Sequence, residues 1–279
     1  MNSALCIHFL GTSAARPIPR WGCTCPQCAA AVADPRARRT RSVILVNGTL
    51  LVDAGPDIYA QLRTLPYDRL ADIDHILITH PHADHFLGLD DLAALRRISE
   101  LPVLPIYAHA DGWERIQSGF HYLIAAEVSQ YDRRPFVRRE FVLEHPLALP
   151  DGLTVTPLDT HHTQAFTTAG LLIERQGRRV LYAPDFFSLP PERVAGADLL
   201  ILDGSFLEQQ QMNQTYRPLL EEGQGRHMPV FDAIRWARAT GAQRVLFTHI
   251  GHVGLSPDQL CELLPPGYDV AHDGLVVEL

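Results

Sequence analysis

Residues Thr79-His80-Pro81-His82-Ala83-Asp84-His85 place four metal-capable side chains, three His and one Asp, within six positions. The run Ile73 to Ile78 before them is largely apolar and reads as a strand, and Leu87 to Arg97 after them reads as a helix. The ligands therefore sit on a loop held at both ends by regular structure. The HxHxDH spacing suits two metal ions. His80 and His82, alternate residues of an extended turn, can reach one ion, while the adjacent pair Asp84 and His85, entering the helix, can reach a neighbour. A merely His-rich surface loop is the alternative reading, set aside because exposed His clusters are rarely this regular. Any fold for this chain must bring further ligands to that loop.

The strands on either side supply candidates. Arg41 to Val46 and Thr49 to Val52 form a hairpin across Asn47-Gly48, ending at Asp53-Ala54-Gly55. Asp53 can orient a metal-bound His or cap the helix expected over residues 57–65, and both readings stand. Leu153 to Leu158 runs into Asp159-Thr160-His161-His162, where one of the two His is a candidate ligand. A second hairpin, Ala169 to Glu174 with Arg179 to Ala183 across Gln176-Gly177, ends at Pro184-Asp185. Leu199 to Leu202 is a strand, Pro229 to Thr240 an amphipathic helix, and Arg244 to Phe247 a strand leading to Thr248-His249-Ile250-Gly251-His252. Helices are also expected over residues 112–126 and 257–264, with a final strand over 275–279. Segment 127–149 (Tyr131, Phe136, Phe141) is a candidate cover for the site, and the Gln-rich stretch 206–227 is expected to be a loop with a short helix. No internal repeat is evident. Short strands, hairpin-linked in each half with helices between, suggest two sheets packed face to face with helices outside. Strand ends bearing His or Asp at one edge would then build a site from distant sequence.

Five Cys without a secretory start argue against a disulfide framework. Three of them fall in Gly22-Cys23-Thr24-Cys25-Pro26-Gln27-Cys28. That cluster reads as a structural zinc loop needing a fourth ligand, with buried thiols or a redox pair as alternatives. The formal net charge of −8 disfavours a broad nucleic-acid surface. All 24 basic residues are Arg, which excludes lysine-based chemistry. The clusters Arg36 to Arg41, Arg133-Arg134 and Arg138-Arg139 are read as solvated faces ahead of phosphate contacts. No apolar run reaches 18 residues and no signal peptide is evident, so a cytoplasmic protein is expected.

Two divalent ions can share a bridging carboxylate and generate a nucleophilic water at neutral pH. Asp185 is the best bridge, since a carboxylate has two oxygens. One ion would take His80, His82 and a His of the 161–162 pair; the other would take Asp84, His85 and His249. His227, in Gly225-Arg226-His227-Met228-Pro229, is either a general acid or a residue capping the following helix.

HxHxDH followed by lone His, Asp and His at strand ends resembles the metallo-β-lactamase superfamily. That resemblance implies an α/β fold, a four-layer αβ/βα sandwich, over residues 1–279 as one domain with a structural zinc loop at about residues 20–30. More narrowly, Gly11-Thr12, the Cys cluster, Asp53-Ala54-Gly55 and Thr248 to His252 are similar to the PhnP group of phosphoribosyl cyclic phosphodiesterases. The likeness implies His162 as the third His ligand, Asp185 as the bridge, His227 as a catalytic His, and a structural zinc on Cys23, Cys25, Cys28 and His252. Cys25-Pro26-Gln27-Cys28, Arg39-Thr40-Arg41-Ser42 and Gly55-Pro56-Asp57-Ile58 resemble instead the PqqB group of pyrroloquinoline quinone biosynthesis, which lacks a complete HxHxDH.

The resulting expectation is a dinuclear phosphodiesterase with two active-site Zn or Mn ions and one structural Zn. Its partner would be a small phosphorylated metabolite, such as a cyclic phosphorylated sugar; a homodimer is left open, and neither membrane nor nucleic acid is expected. A PqqB-like non-hydrolytic protein and a tRNase-Z-like nuclease are the alternatives. His249 and His252 stand three residues apart, so one loop would serve both metal centres.

Overall fold

The computed structural model describes residues 4–124, 135–209 and 226–279. Two seven-stranded sheets account for all its strands. The first is built from β1 (Cys6–Gly11), β2 (Val43–Val46), β3 (Leu50–Val52), β4 (His75–Leu77), β5 (Leu104–Ala108), β6 (Phe136–Glu140) and β14 (Val276–Glu278), in the order β14-β1-β2-β3-β4-β5-β6. The second is built from β7 (Leu147–Ala148), β8 (Thr154–Asp159), β9 (Ala169–Arg175), β10 (Arg178–Ala183), β11 (Leu199–Asp203), β12 (Val245–Thr248) and β13 (Tyr268–Val270), in the order β13-β12-β11-β10-β9-β8-β7.

Both expected hairpins form. Asn47 and Gly48 take φ of 51° and 77°, and Gln176 and Gly177 take 50° and 80°. Positive φ at both central residues is what a two-residue turn needs to match strand twist. The pairing signs then repeat between the sheets. From β14 to β3 neighbours are antiparallel and from β3 to β6 parallel. From β7 to β10 they are antiparallel and from β10 to β13 parallel. The repeat is topological, with no counterpart detected in the residues.

The layers follow from side-chain alternation. Along β2, Ile44 and Val46 enter the layer between the sheets, whereas Val43 and Leu45 face the outer helices. The inter-sheet layer packs Phe9, Ile44 and Val52 with Leu171, Tyr182 and Ile201. Outside the first sheet lie α2 (Ile58–Leu62), α4 (Leu89–Ile98) and α5 (Ala110–Ile124), through Ile58, Leu92 and Trp113. Outside the second lies α6 (Val230–Thr240), through Ala233, Ile234 and Ala237. Central strands buried on both faces read as continuous apolar runs, which is why Val43–Val46 and Leu199–Leu202 carry no polar residue. The result is the four-layer αβ/βα sandwich expected.

Some local expectations shift. The helix expected over Leu87 to Arg97 is α4, shifted to Leu89–Ile98, and a short α3 (Ala83–Phe86) precedes it within the metal motif. Segment 127–149 contributes the edge strands β6 and β7; Tyr131 and Arg133-Arg134 lie outside the described residues, as does most of the Gln-rich stretch. Within the basic cluster, Arg39 is buried and donates to Thr12 and Ala271, and Arg41 pairs with Asp57 at 3.0 Å. These two are structural. Among the described residues no helix is long and apolar enough to cross a membrane.

The loop after β3 and the turn around α3 touch backbone to backbone. Ala54 N donates to His85 O at 2.7 Å, and Gly88 N donates to Ala54 O at 2.8 Å. A Cβ on Gly55 would stand 2.1 Å from Asp84 O. Gly55→Ala is therefore expected to lower stability by on the order of 1–3 kcal/mol, the usual cost of overpacking. A denaturant midpoint unchanged from the parent would show that the two loops are not in such contact.

Candidate metal centre

Strands β3, β4 and β5 run parallel in the first sheet, and β10, β11 and β12 in the second. β8 shares the direction of β10, being two antiparallel steps away. Asp53, His80, His162, Asp185, Asp203 and His249 all lie at or just beyond the C-terminal ends of these strands, where open α/β sheets place their binding crevices. The sandwich thereby gathers residues from both sheets along one rim.

Two clusters of the nominated ligands result. In one, His80, His82, His162 and Asp185 bring donor atoms within 4.8 Å of one another; in the other, Asp84, His85 and His249 do the same, and Asp185, Asp203, His227 and His249 form a group that overlaps both. Asp185, only 3% exposed, joins them. Its Oδ1 lies 3.5 Å from His162 Nε2, and its Oδ2 lies 3.0 Å from His85 Nε2 and 3.4 Å from His249 Nε2. Asp84 Oδ2 is 3.4 Å from both His85 Nε2 and His249 Nε2. His161, the alternative to His162, turns away and pairs with Asp159 at 3.1 Å.

Each of three imidazoles is oriented through its other nitrogen. His85 Nδ1 meets Asp53 Oδ2 at 2.7 Å, His162 Nδ1 donates to the Arg226 carbonyl at 2.7 Å, and His249 Nδ1 meets Ser205 Oγ at 2.9 Å. This leaves Nε2 of all three aimed at Asp185, the arrangement by which proteins present imidazole to a metal. The Asp53 alternatives are thereby decided: Asp53 serves His85 and Thr79, and Asp57 stands at the start of α2.

The residues fit divalent cations. Among the described residues, buried His85 Nε2 and Asp185 Oδ2 have no hydrogen-bond partner although they face each other. Such orphaned donors and acceptors are costly without an ion. Burial pushes His80 and His82 down and His162 down to about 3, so these imidazoles are neutral and can donate lone pairs. For His85 and His249 burial acts the same way but is outweighed. Asp53, Asp84 and Asp185 raise His85 well above its usual range, and Asp185 with Asp203 and Asp84 raises His249 to about 10. The field that holds a proton there equally favours a metal cation.

His227 is buried beside this cradle, its ring 4.6 Å from that of His162. Its Nδ1 meets Asp203 Oδ2 at 2.5 Å. It does not cap α6, whose first flanking residue is Pro229. Burial would lower the His227 pKa, but the Asp203 carboxylate raises it. Asp203 was not singled out from sequence, although Asp203-Gly204-Ser205 follows a strand as Asp53 and Asp185 do. Phe166, also unforeseen, packs on His80 and His82 and carries the Arg115 guanidinium over its ring at 4.6 Å.

A third cluster lies nearby. Cys23, Cys25 and Cys28 each place Sγ 3.3 Å from His252 Nε2. Tetrahedral zinc with bonds of about 2.3 Å to sulfur and 2.0–2.1 Å to nitrogen has edges of roughly 3.5 Å, close to this spacing. The structure thus brings together every residue that the sequence nominated for metal, in three groups.

The chain belongs to the family described as the Beta-lactamase superfamily domain, whose model matches residues 49–250. Its fold is the metallo-β-lactamase fold. Among its relatives, Coenzyme PQQ synthesis protein B of Methylobacterium radiotolerans is 29% identical across 98% of this chain and 99% of its own. Among solved structures, a diphosphatase from the PhnP family superposes with a TM-score of 0.78 at 27% identity, covering 99% of this chain and 97% of that one. Zinc-bound PqqB from Methylobacterium extorquens gives 0.76 at 26% identity, covering 98% and 100%.

Asp53→Asn would keep the shape beside His85 but weaken the carboxylate that fixes its ring. A 10–100-fold loss of metal affinity is expected at the Asp84–His85–His249 cluster. Competition with a chelator would measure it, and unchanged affinity would remove Asp53 from the metal centre.

Proposed function

We propose that the protein is a metal-dependent phosphodiesterase acting on a small phosphorylated metabolite, with cyclic sugar phosphates as the leading substrate class. The observation that carries this reading is the His227–Asp203 pair set against a full seven-residue ligand set. A ligand set alone would serve binding. A buried, carboxylate-supported imidazole next to it adds a proton donor, which hydrolysis of an alkyl phosphoester needs.

His80, His82 and His162 would hold one divalent ion, Asp84, His85 and His249 a second, with Asp185 reaching both. When bound, such a pair supplies Lewis acidity and lowers the pKa of water towards about 7. The chain's own residues do the rest. Asp53, the Arg226 carbonyl and Ser205 lock the rings of His85, His162 and His249, so no reorganisation is needed as charge develops. As the P–O bond to the leaving oxygen breaks, that oxygen takes a proton from His227. Asp203 supports this role twice, by holding Nδ1–H and by raising the His227 pKa against the lowering effect of burial. Similarity to a PhnP-family diphosphatase across nearly the whole chain supports phosphoester chemistry.

A second reading has its own support. The similarity to Coenzyme PQQ synthesis protein B extends over 98% of this chain and favours a role in cofactor biosynthesis without phosphoester hydrolysis.

The two separate in one experiment. Protein reconstituted with Mn²⁺ or Zn²⁺ is assayed on bis(p-nitrophenyl) phosphate, a ribose cyclic phosphate and a nucleoside diphosphate. Turnover of the diesters is expected, with three metals per chain by elemental analysis; absence of turnover with either metal on all three would sink the hydrolase reading. His227→Ala should keep its metals and lose about 10²–10⁴-fold in kcat, the usual worth of a general acid. An unaltered rate would exclude His227 from proton transfer.

A further inference from the structure

The Cys cluster and the metal cradle are joined by more than the short span from His249 to His252. Gln27, between the ligands Cys25 and Cys28, is 3% exposed. Its Nε2 donates to Gly251 O at 3.0 Å, and its Oε1 accepts from Gly254 N at 3.1 Å. One side chain thus grips the loop on both sides of His252, using its donor and its acceptor together.

The loop it grips is confined elsewhere as well. Ile250 N donates to Thr12 O at 2.7 Å, and Gly251 N donates to Gly204 O at 3.2 Å. A Cβ on Gly251 would stand 1.9 Å from Ser205 O, so the loop is pressed onto the segment that carries Asp203 and Ser205. His249 itself takes φ of 53°, a left-handed conformation that a non-glycine residue holds only when its surroundings enforce it.

We propose that Gln27 is a positioning residue for His249, and that its amide couples the Cys cluster to the metal cradle. Filling the Cys cluster fixes α1 (Pro26–Ala33), which presents Gln27. Gln27 fixes Gly251 and Gly254, and these set His249 against Asp84 and Asp185. By linkage the coupling is reciprocal: each centre binds its metal more tightly when the other is filled. The proposal rests on the metal cradle described above, and its test does not depend on which substrate is cleaved.

The test follows metal release and not turnover. Zn²⁺-loaded full-length protein is mixed with excess chelator and a chromophoric zinc indicator, and residual metal is counted by elemental analysis at each stage. In Gln27→Ala, cradle zinc is expected to leave roughly tenfold faster than in the parent, on the scale of lost metal-orienting contacts, while one zinc per chain stays behind. Gln27→Glu keeps size and the acceptor towards Gly254 but loses the donor to Gly251 O. It should behave like Gln27→Ala and serves in its place if that variant does not fold. Ala239→Gly, at an exposed position of α6, loosens a helix that takes no part in the clamp and should leave cradle release unchanged. Equal release from parent and both Gln27 variants would overturn the proposal. So would an equal acceleration in Ala239→Gly, or loss of the Cys-cluster zinc before cradle zinc. A protein that turned over no phosphoester could still pass this test, so the two proposals fail separately.

Discussion

The carboxylate of Asp185 is the point on which both halves of the molecule converge. Burying an anion this completely is unfavourable unless cationic or polar partners surround it. Its partners come from both sheets: His85, from the loop after β4, and His162 and His249, from the loops after β8 and β12. Close packing of the sheets thus sets the distances on which the centre depends. The inter-sheet layer runs from Leu77, two residues before Thr79, to Tyr182, three before Asp185. A shift of one sheet against the other would separate His85 from Asp185 before it exposed much apolar surface.

The topology explains why such convergence is available. Each sheet begins as an antiparallel meander and ends as a parallel run, so each presents loops at the C-terminal ends of its parallel strands. The carboxylates occupy matching steps: Asp53 follows the strand at the antiparallel-to-parallel switch of the first sheet, and Asp185 follows that of the second. Yet their tasks differ. Asp53 is spent on Thr79 and His85 Nδ1, whereas Asp185 faces the Nε2 atoms. Equivalent positions in the fold thus support a ring in one half and face the candidate ligands in the other.

The sequence carried the local parts of this well. The HxHxDH loop, both two-residue hairpins and the apolar central strands are written in contiguous residues, and local rules read them. Apart from β14, which falls within the strand expected at 275–279, the edge strands were less visible. Phe136–Glu140 carries three charged residues in five, and Tyr268–Val270 has an Asp at its centre, since an edge strand needs apolar cover on less of its surface. Roles set by tertiary contact were the hardest. Asp203 obeys the same strand-end pattern as Asp53 and Asp185, but its meaning comes from His227, 24 residues on. The choice between His161 and His162 turns on which ring the Arg226 carbonyl receives. No spacing rule within the strand encodes that.

Relatives named for cofactor synthesis and a neighbour named as a diphosphatase can share this architecture because fold and ligand set do not specify chemistry. What a hydrolase adds to a metal-binding cradle is a proton relay held out of water at a fixed angle. Here the proposed relay shares a strand end with the support of a candidate ligand: Asp203 reaches His227, while Ser205, two residues later, orients His249. Displacing this strand end would therefore disturb His227 and His249 together. A chain that had given up hydrolysis would gain nothing by keeping Asp203 and His227 buried and paired, since a buried ionic pair is at best a weak source of stability. The presence of the buried pair beside a full candidate ligand set thus supports the proposed catalysis independently of overall similarity.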